Sequence, residues 1–84
     1  MNDDEILANL EDVFRNVFEN DAIILTPHTT KEEIPGWDSM SNITLVIEIE
    51  HCFGIKIKNA ETEALQDVGA LIALVKSHMA PAVS

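Results

Sequence analysis

Eighty-four residues set the scale of one domain with a modest core, and leave no room for a catalytic domain beside a regulatory one. Fifteen acidic side chains against five basic ones give a formal net charge of −10, a surface that repels phosphate backbones and anionic membranes and so argues against nucleic acid as a partner. The same charge favours a partner with a basic patch, although acidity also serves plain solubility; the 46% hydrophobic share is enough for a globular fold and the 24% charged share is ordinary.

Residues 1–84 are read as a single domain, with an ordered core over about 3–79 and a frayed tail at 80–84. Cys52 stands alone, so no intramolecular disulfide forms and a reducing compartment fits. MNDDEILANL is acidic and lacks the basic start of a secretory signal, and no apolar run has the length of a membrane span. The expectation is a soluble, cytoplasmic protein without membrane insertion.

The first helix is expected from about Asp3 to Asn20, where Ile6, Leu7, Leu10, Val13, Phe14, Val17 and Phe18 recur at helical spacing. Asp3, Asp4 and Glu5 suit the positive end of its dipole, and Asn20 suits a left-handed stop. A long connection follows to Asp38, broken by Pro27 and Pro35. Within it Ile23, Ile24 and Leu25 are expected in the core, Lys31-Glu32-Glu33 in a short turn, and Pro35-Gly36 at a closing turn.

The second helix is expected from Ser39 to Phe53, with Asp38 as N-cap and Gly54 just past its end. At about 100° per residue, Leu45, Val46, Ile49, Cys52 and Phe53 form a core stripe, while Met40, Ile43 and Ile47 fall opposite, beside Thr44, Glu50 and His51. A helix that packs on one side only has no use for large aliphatics on the other, so this second face suits a docking partner. Ile55 and Ile57 read as a short extended piece. A short third helix over 59–64 is capped by Asn59, and a last helix runs from Leu65 or Gln66 to His78 on Leu65, Val68, Leu71, Ile72, Val75 and Met79, stopped by Pro81. The fold class is therefore all-α: a small bundle of three longer helices and one short one, with a long loop between the first two.

Other candidates carry less. His51 and Cys52 are neighbours that point about 100° apart, with no third group to orient the imidazole, so Cys52 reads as a core thiol. His28, His51 and His78 are too scattered for a metal site, and none is expected. Trp37 reads either as a contact for a ligand or partner, or as an anchor for the loop. Ser41 and Ser77 have no distinguishing feature.

G-W-D-S-M at 36–40, I-T-L-V-I-E-I-E at 43–50 and F-G-I-K-I at 53–57 together resemble the acyl carrier protein family, and the resemblance covers nearly the whole chain. It implies that Ser39 carries 4′-phosphopantetheine through a phosphodiester, installed from coenzyme A by a phosphopantetheinyl transferase that uses Mg²⁺, and that the arm's thiol holds acyl groups as thioesters and partly shelters them between helices. It implies no catalytic residue and no enzyme. Asp38 would contact the transferase or its metal. Trp37, Met40, Ile43, Thr44 and Ile47 would dock acyl-transferring, condensing or acyl-activating enzymes, with Asp38, Glu48 and Glu50 meeting their basic residues. A monomer is expected for a carrier that visits several enzymes. The chain departs from primary fatty-acid carriers at Trp37, Ser41 and Thr44, which fits a specialised carrier, for example in polyketide biosynthesis. An aminoacyl or peptidyl carrier, of D-alanyl or nonribosomal type, and an unmodified helical adaptor are the alternatives.

Overall fold

The computed structural model describes residues 2–79 and contains four α-helices: α1 (Asp3–Val17), α2 (Ser39–Phe53), α3 (Asn59–Glu63) and α4 (Val68–Met79). A 3₁₀ turn over Lys31–Glu33 interrupts the long α1–α2 connection, as the Lys-Glu-Glu triplet suggests. The class is all-α; the nearest thing to strand pairing among the described residues is one isolated antiparallel bridge between Thr30 and Asp67. Residues 80–84, with Pro81 and the tail expected to fray, lie outside the described residues.

Helix α1 begins with a reciprocal cap. Asn2 Oδ1 accepts the Glu5 N–H at 2.9 Å and Glu5 Oε1 accepts the Asn2 N–H at 3.0 Å, an arrangement that satisfies two otherwise free donors. Ile6, Leu10, Val13 and Phe14 form its buried face. The helix ends at Val17 rather than Asn20, and Glu19, not Asn20, takes the left-handed conformation at φ +50°. Asn20 is otherwise engaged: its Oδ1 accepts the Ala22 N–H at 3.0 Å and starts the turn that reverses the chain.

The polar side of α1 holds the loop that follows. Arg15 Nε donates to the Ile23 carbonyl at 2.9 Å and Glu11 accepts the Leu25 N–H at 2.9 Å. Ile23 and Leu25 are buried, whereas Ile24, expected in the core with them, is exposed. Successive side chains of an extended segment point to opposite sides, so three consecutive residues cannot all face inward. Further along, the Pro27 and Thr29 carbonyls accept the Gly69 and Val68 N–H groups, each at 2.8 Å. A Cβ on Gly69 would lie 2.9 Å from the Pro27 oxygen, so the backbones meet there only because the residue is glycine.

That junction corrects the start of the last helix. It begins at Val68 rather than at Leu65 or Gln66, because Asp67 Oδ1 accepts the Ala70 N–H at 2.8 Å and acts as the cap. The buried face of α4 is Val68, Leu71, Ile72 and Val75. At the other boundary, α3 is capped at Lys58, not Asn59: the Glu61 carboxylate accepts the Lys58 N–H at 2.9 Å. Asn59 is instead turned inward to Asn42.

Helix α2 runs over the expected residues, capped by Asp38 and closed by Gly54 at φ +66°. It packs between α1 and α3, while α4 packs on α1. Leu45, Val46 and Ile49 are buried and Phe53 is half-buried. Cys52, expected in that stripe, is exposed. Partial desolvation, then Asp12 and Glu48, push its thiol pKa up.

Candidate functional site

The turn into α2 is built from interlocking hydrogen bonds. Asp38 Oδ1 accepts the Ser41 N–H at 2.9 Å. The Ser41 hydroxyl accepts the Asp38 N–H at 2.8 Å and donates to the Gly36 carbonyl at 2.7 Å. Hydrogen bonds from the Ser41 backbone, and then from its hydroxyl, hold the Asp38 carboxyl below the usual carboxylate range. Ser41 is thus the second half of the capping box. Its position three residues after the Asp38 cap was the available signal for that role.

Ser39, the first residue of α2, is exposed. It borders a depression of about 250 Å³ lined also by Lys31, Trp37, Asp38, Asn42 and Glu63. A negatively charged substituent on Ser39 would sit at the positive end of the α2 dipole. The open hydroxyl and the adjoining space fit a phosphodiester-linked arm.

Trp37 forms one wall of the depression. Its ring meets Phe14 edge-on, with centroids 5.0 Å apart and planes at 84°, and lies 6.5 Å from Phe18. Its Nε1–H donates to Asn42 Oδ1 at 3.0 Å. Lys31 covers the ring, its Nζ 5.6 Å from the centroid, and donates to the Glu63 carbonyl at 3.0 Å. Half-buried, Trp37 is held by Phe14 and Phe18, by Asn42 and by Lys31, contacts that tie the loop to the bundle.

Asn42 escapes the sequence reading altogether, yet it is the polar centre of the site and only 2% exposed. Besides accepting from Trp37, its Nδ2 donates to Asn59 Oδ1 at 2.9 Å and to Thr62 Oγ1 at 2.7 Å. The signal was present: Asn42 falls three and four residues before Leu45 and Val46, so a polar side chain interrupts the core stripe and needs partners there.

The second face of α2 is apolar and open. Met40 is 81% exposed, Ile43 53% and Ile47 48%, with Thr44 and Glu48 exposed beside them. Glu50, grouped with this face as an acid for a partner, is half-buried, and its Oε2 accepts the Ile57 N–H at 2.9 Å, tying the chain after Gly54 back to the helix. His51 is exposed, while His78 meets Glu61 across α4 and α3 at 3.3 Å. That contact, after the Lys58 N–H, lowers the Glu61 pKa.

These features define a small helical bundle that presents an exposed serine at a helix start beside an exposed apolar helix face. The comparisons with known proteins agree. No protein-family model matches the chain. An acyl carrier protein of Lactobacillus johnsonii is 30% identical over 78 residues, covering 93% of this chain and 98% of its own. One of Lactobacillus acidophilus is 28% identical with the same coverage. The solution structure of a holo acyl carrier protein from Geobacter metallireducens superimposes with a TM-score of 0.79 at 38% identity, over 88% of this chain and 85% of the other. The chain belongs to the acyl carrier protein family. Its function is to carry acyl groups, it is not an enzyme, and 4′-phosphopantetheine is the prosthetic group of its class.

Proposed function

We propose that Ser39 is the attachment point of the phosphopantetheine arm, and that Met40, Ile43, Thr44, Ile47 and Glu48 form the surface on which partner enzymes dock. The observation that carries this reading is the contrast between two hydroxyls in one turn. Ser41 is committed to the Asp38 backbone and the Gly36 carbonyl, whereas Ser39, between the cap and the exposed Met40, is open to a transferase. The arm supplies a thiol that holds an acyl group as a thioester. The chain's own residues do the rest. Asp38 and Ser41 fix the helix start, Trp37 and Asn42 hold the loop beside it, and the aliphatic face gives an enzyme with a basic rim a place to sit.

The partners are a phosphopantetheinyl transferase working from coenzyme A and Mg²⁺, and acyl-handling enzymes with basic docking patches. Excess acidity supports the second expectation, since opposite fields speed and orient encounter. Among the described residues no helix is long and apolar enough to cross a membrane. We place the protein in the cytoplasm as one carrier domain, a reading supported by its unpaired Cys52 and its one connected core.

Intact mass before and after incubation with coenzyme A, Mg²⁺ and a broad-specificity transferase tests the assignment. One phosphopantetheine should be gained by the native chain and none by Ser39→Ala. A gain that survives the substitution would move the attachment elsewhere. No gain in a chain that also arrives unmodified would favour an unmodified adaptor.

A further inference from the structure

An acyl chain on Ser39 has two places to go: out into solvent and a partner enzyme, or down into the apolar core of its own bundle. The floor of the depression beside Ser39 decides between them. It is Asn42, and Asn42 is the hub of a polar clasp that joins the Trp37 loop, α2 and α3. Its carbonyl oxygen takes the Trp37 Nε1–H, and its amide donates to Asn59 and Thr62. The Thr62 hydroxyl in turn donates to the Asn59 carbonyl at 2.8 Å. Asn42 and Thr62 are 2% and 1% exposed, and among the described residues no buried side-chain polar atom lacks a partner.

Resting on the carrier reading above, we propose that this clasp bars the α2–α3 route to the core, so that cargo on Ser39 stays outside the bundle and belongs to the class of short or polar acyl groups. The barrier is energetic. An apolar chain entering between α2 and α3 would have to part the Asn42–Asn59 and Asn42–Thr62 bonds. It would then leave the Asn42 amide donors buried against hydrocarbon, where unpaired polar groups are strongly disfavoured, while the Thr62 hydroxyl keeps its bond to the Asn59 carbonyl. A half-satisfied network is worse than an apolar wall, so parting any one of these bonds carries a cost. A long apolar chain gains no shelter here, whereas a short or polar one needs none.

Butyryl, octanoyl and dodecanoyl arms, loaded onto the full chain and verified by intact mass, supply the test. The readout is the methyl resonances of the buried Leu45, Val46, Ile57 and Leu71 in each species. In the native chain these resonances should superimpose across the series. Thioester hydrolysis should proceed at the same rate for all three cargoes. The double variant Asn42→Ala/Thr62→Ala should make both readouts depend on chain length, and the milder Thr62→Val, which keeps the volume and removes the hydroxyl, should move in the same direction. Core methyl shifts that grow with chain length in the native protein, with slower hydrolysis of the longer thioesters, would overturn the proposal while leaving Ser39 as the attachment site. Failure of the native chain to gain any arm would overturn the carrier reading and this inference with it.

Discussion

At Asp38 one carboxylate caps a helix and stands beside the proposed attachment point. Its pKa is lowered in the folded chain by the Ser41 hydrogen bonds, so the folded state holds that proton less tightly than the unfolded state. The ionised cap therefore stabilises the fold above the unfolded carboxylate range, and that stabilisation is lost as pH falls through the folded value. Asp38→Ala should accordingly lower the melting temperature most near neutrality, and the gap from the native chain should narrow in acid. Asp38→Asn, whose amide oxygen still caps, should recover part of the neutral-pH loss. A gap that stays constant with pH would show that the charge of Asp38 contributes nothing beyond its geometry. Ser39→Ala, by contrast, touches none of the bonds that build the cap, so its melt should stay close to that of the native chain while modification disappears.

Helix α2 works because both of its ends are specified and its two long faces differ. The Asp38–Ser41 box starts it, and Gly54, left-handed at φ +66°, stops it with its N–H on the Glu50 carbonyl at 2.8 Å. A Cβ on Gly54 would meet nothing within 4 Å, so the cost of Gly54→Ala is conformational alone. Chemical denaturation should show a loss of about 1 kcal/mol, with Gly54→Asn milder. A much larger loss would mean that the turn to Ile55 and Ile57 rearranges, releasing the Glu50–Ile57 contact as well. Between these ends, Leu45, Val46 and Ile49 secure the helix to the bundle, which leaves Met40, Ile43 and Ile47 free to meet another protein.

Across the whole molecule, charge is what the fold leaves unbalanced. With a net −10 on a chain whose stability should be about 4 to 13 kcal/mol, self-repulsion works against the compact state. The ion pairs Lys76–Asp3 at 2.8 Å and Arg15–Glu11 at 3.1 Å engage two of the five cations, and both lie near the surface, where such pairs contribute little. Added salt or millimolar Mg²⁺ should therefore raise the melting temperature. Indifference to both in a thermal melt would show that the acids are spread too thinly to matter. The same field should make association with a basic partner fastest at low salt, so fold stability and partner encounter respond to ionic strength in opposite senses.

Features that depend on spacing along the chain were legible without coordinates. The helical period of about 3.6 residues sets the apolar stripes of α1, α2 and α4. Asp38 and Gly54 mark the ends of α2 by local backbone chemistry, and the position of Ser39 between cap and Met40 follows from the same short range. The exposed second face of α2 was legible too, because residues on opposite sides of one helix cannot both reach the same core. What stayed hidden depends on which distant groups meet. The Pro27 and Thr29 carbonyls take the first N–H groups of α4, and Ile24 is exposed because Arg15 and Glu11 fix the extended segment that holds it. Cys52 falls on the core stripe by spacing, yet the packing leaves it exposed. Asn42 reads as an oddity in a stripe until Trp37, Asn59 and Thr62 arrive to satisfy it. The chain's own periodicity and caps thus determined the helices and the serine they present. Only the tertiary packing decided what lies beneath that serine, because each partner of a buried polar group comes from elsewhere in the chain, and spacing carries no record of it.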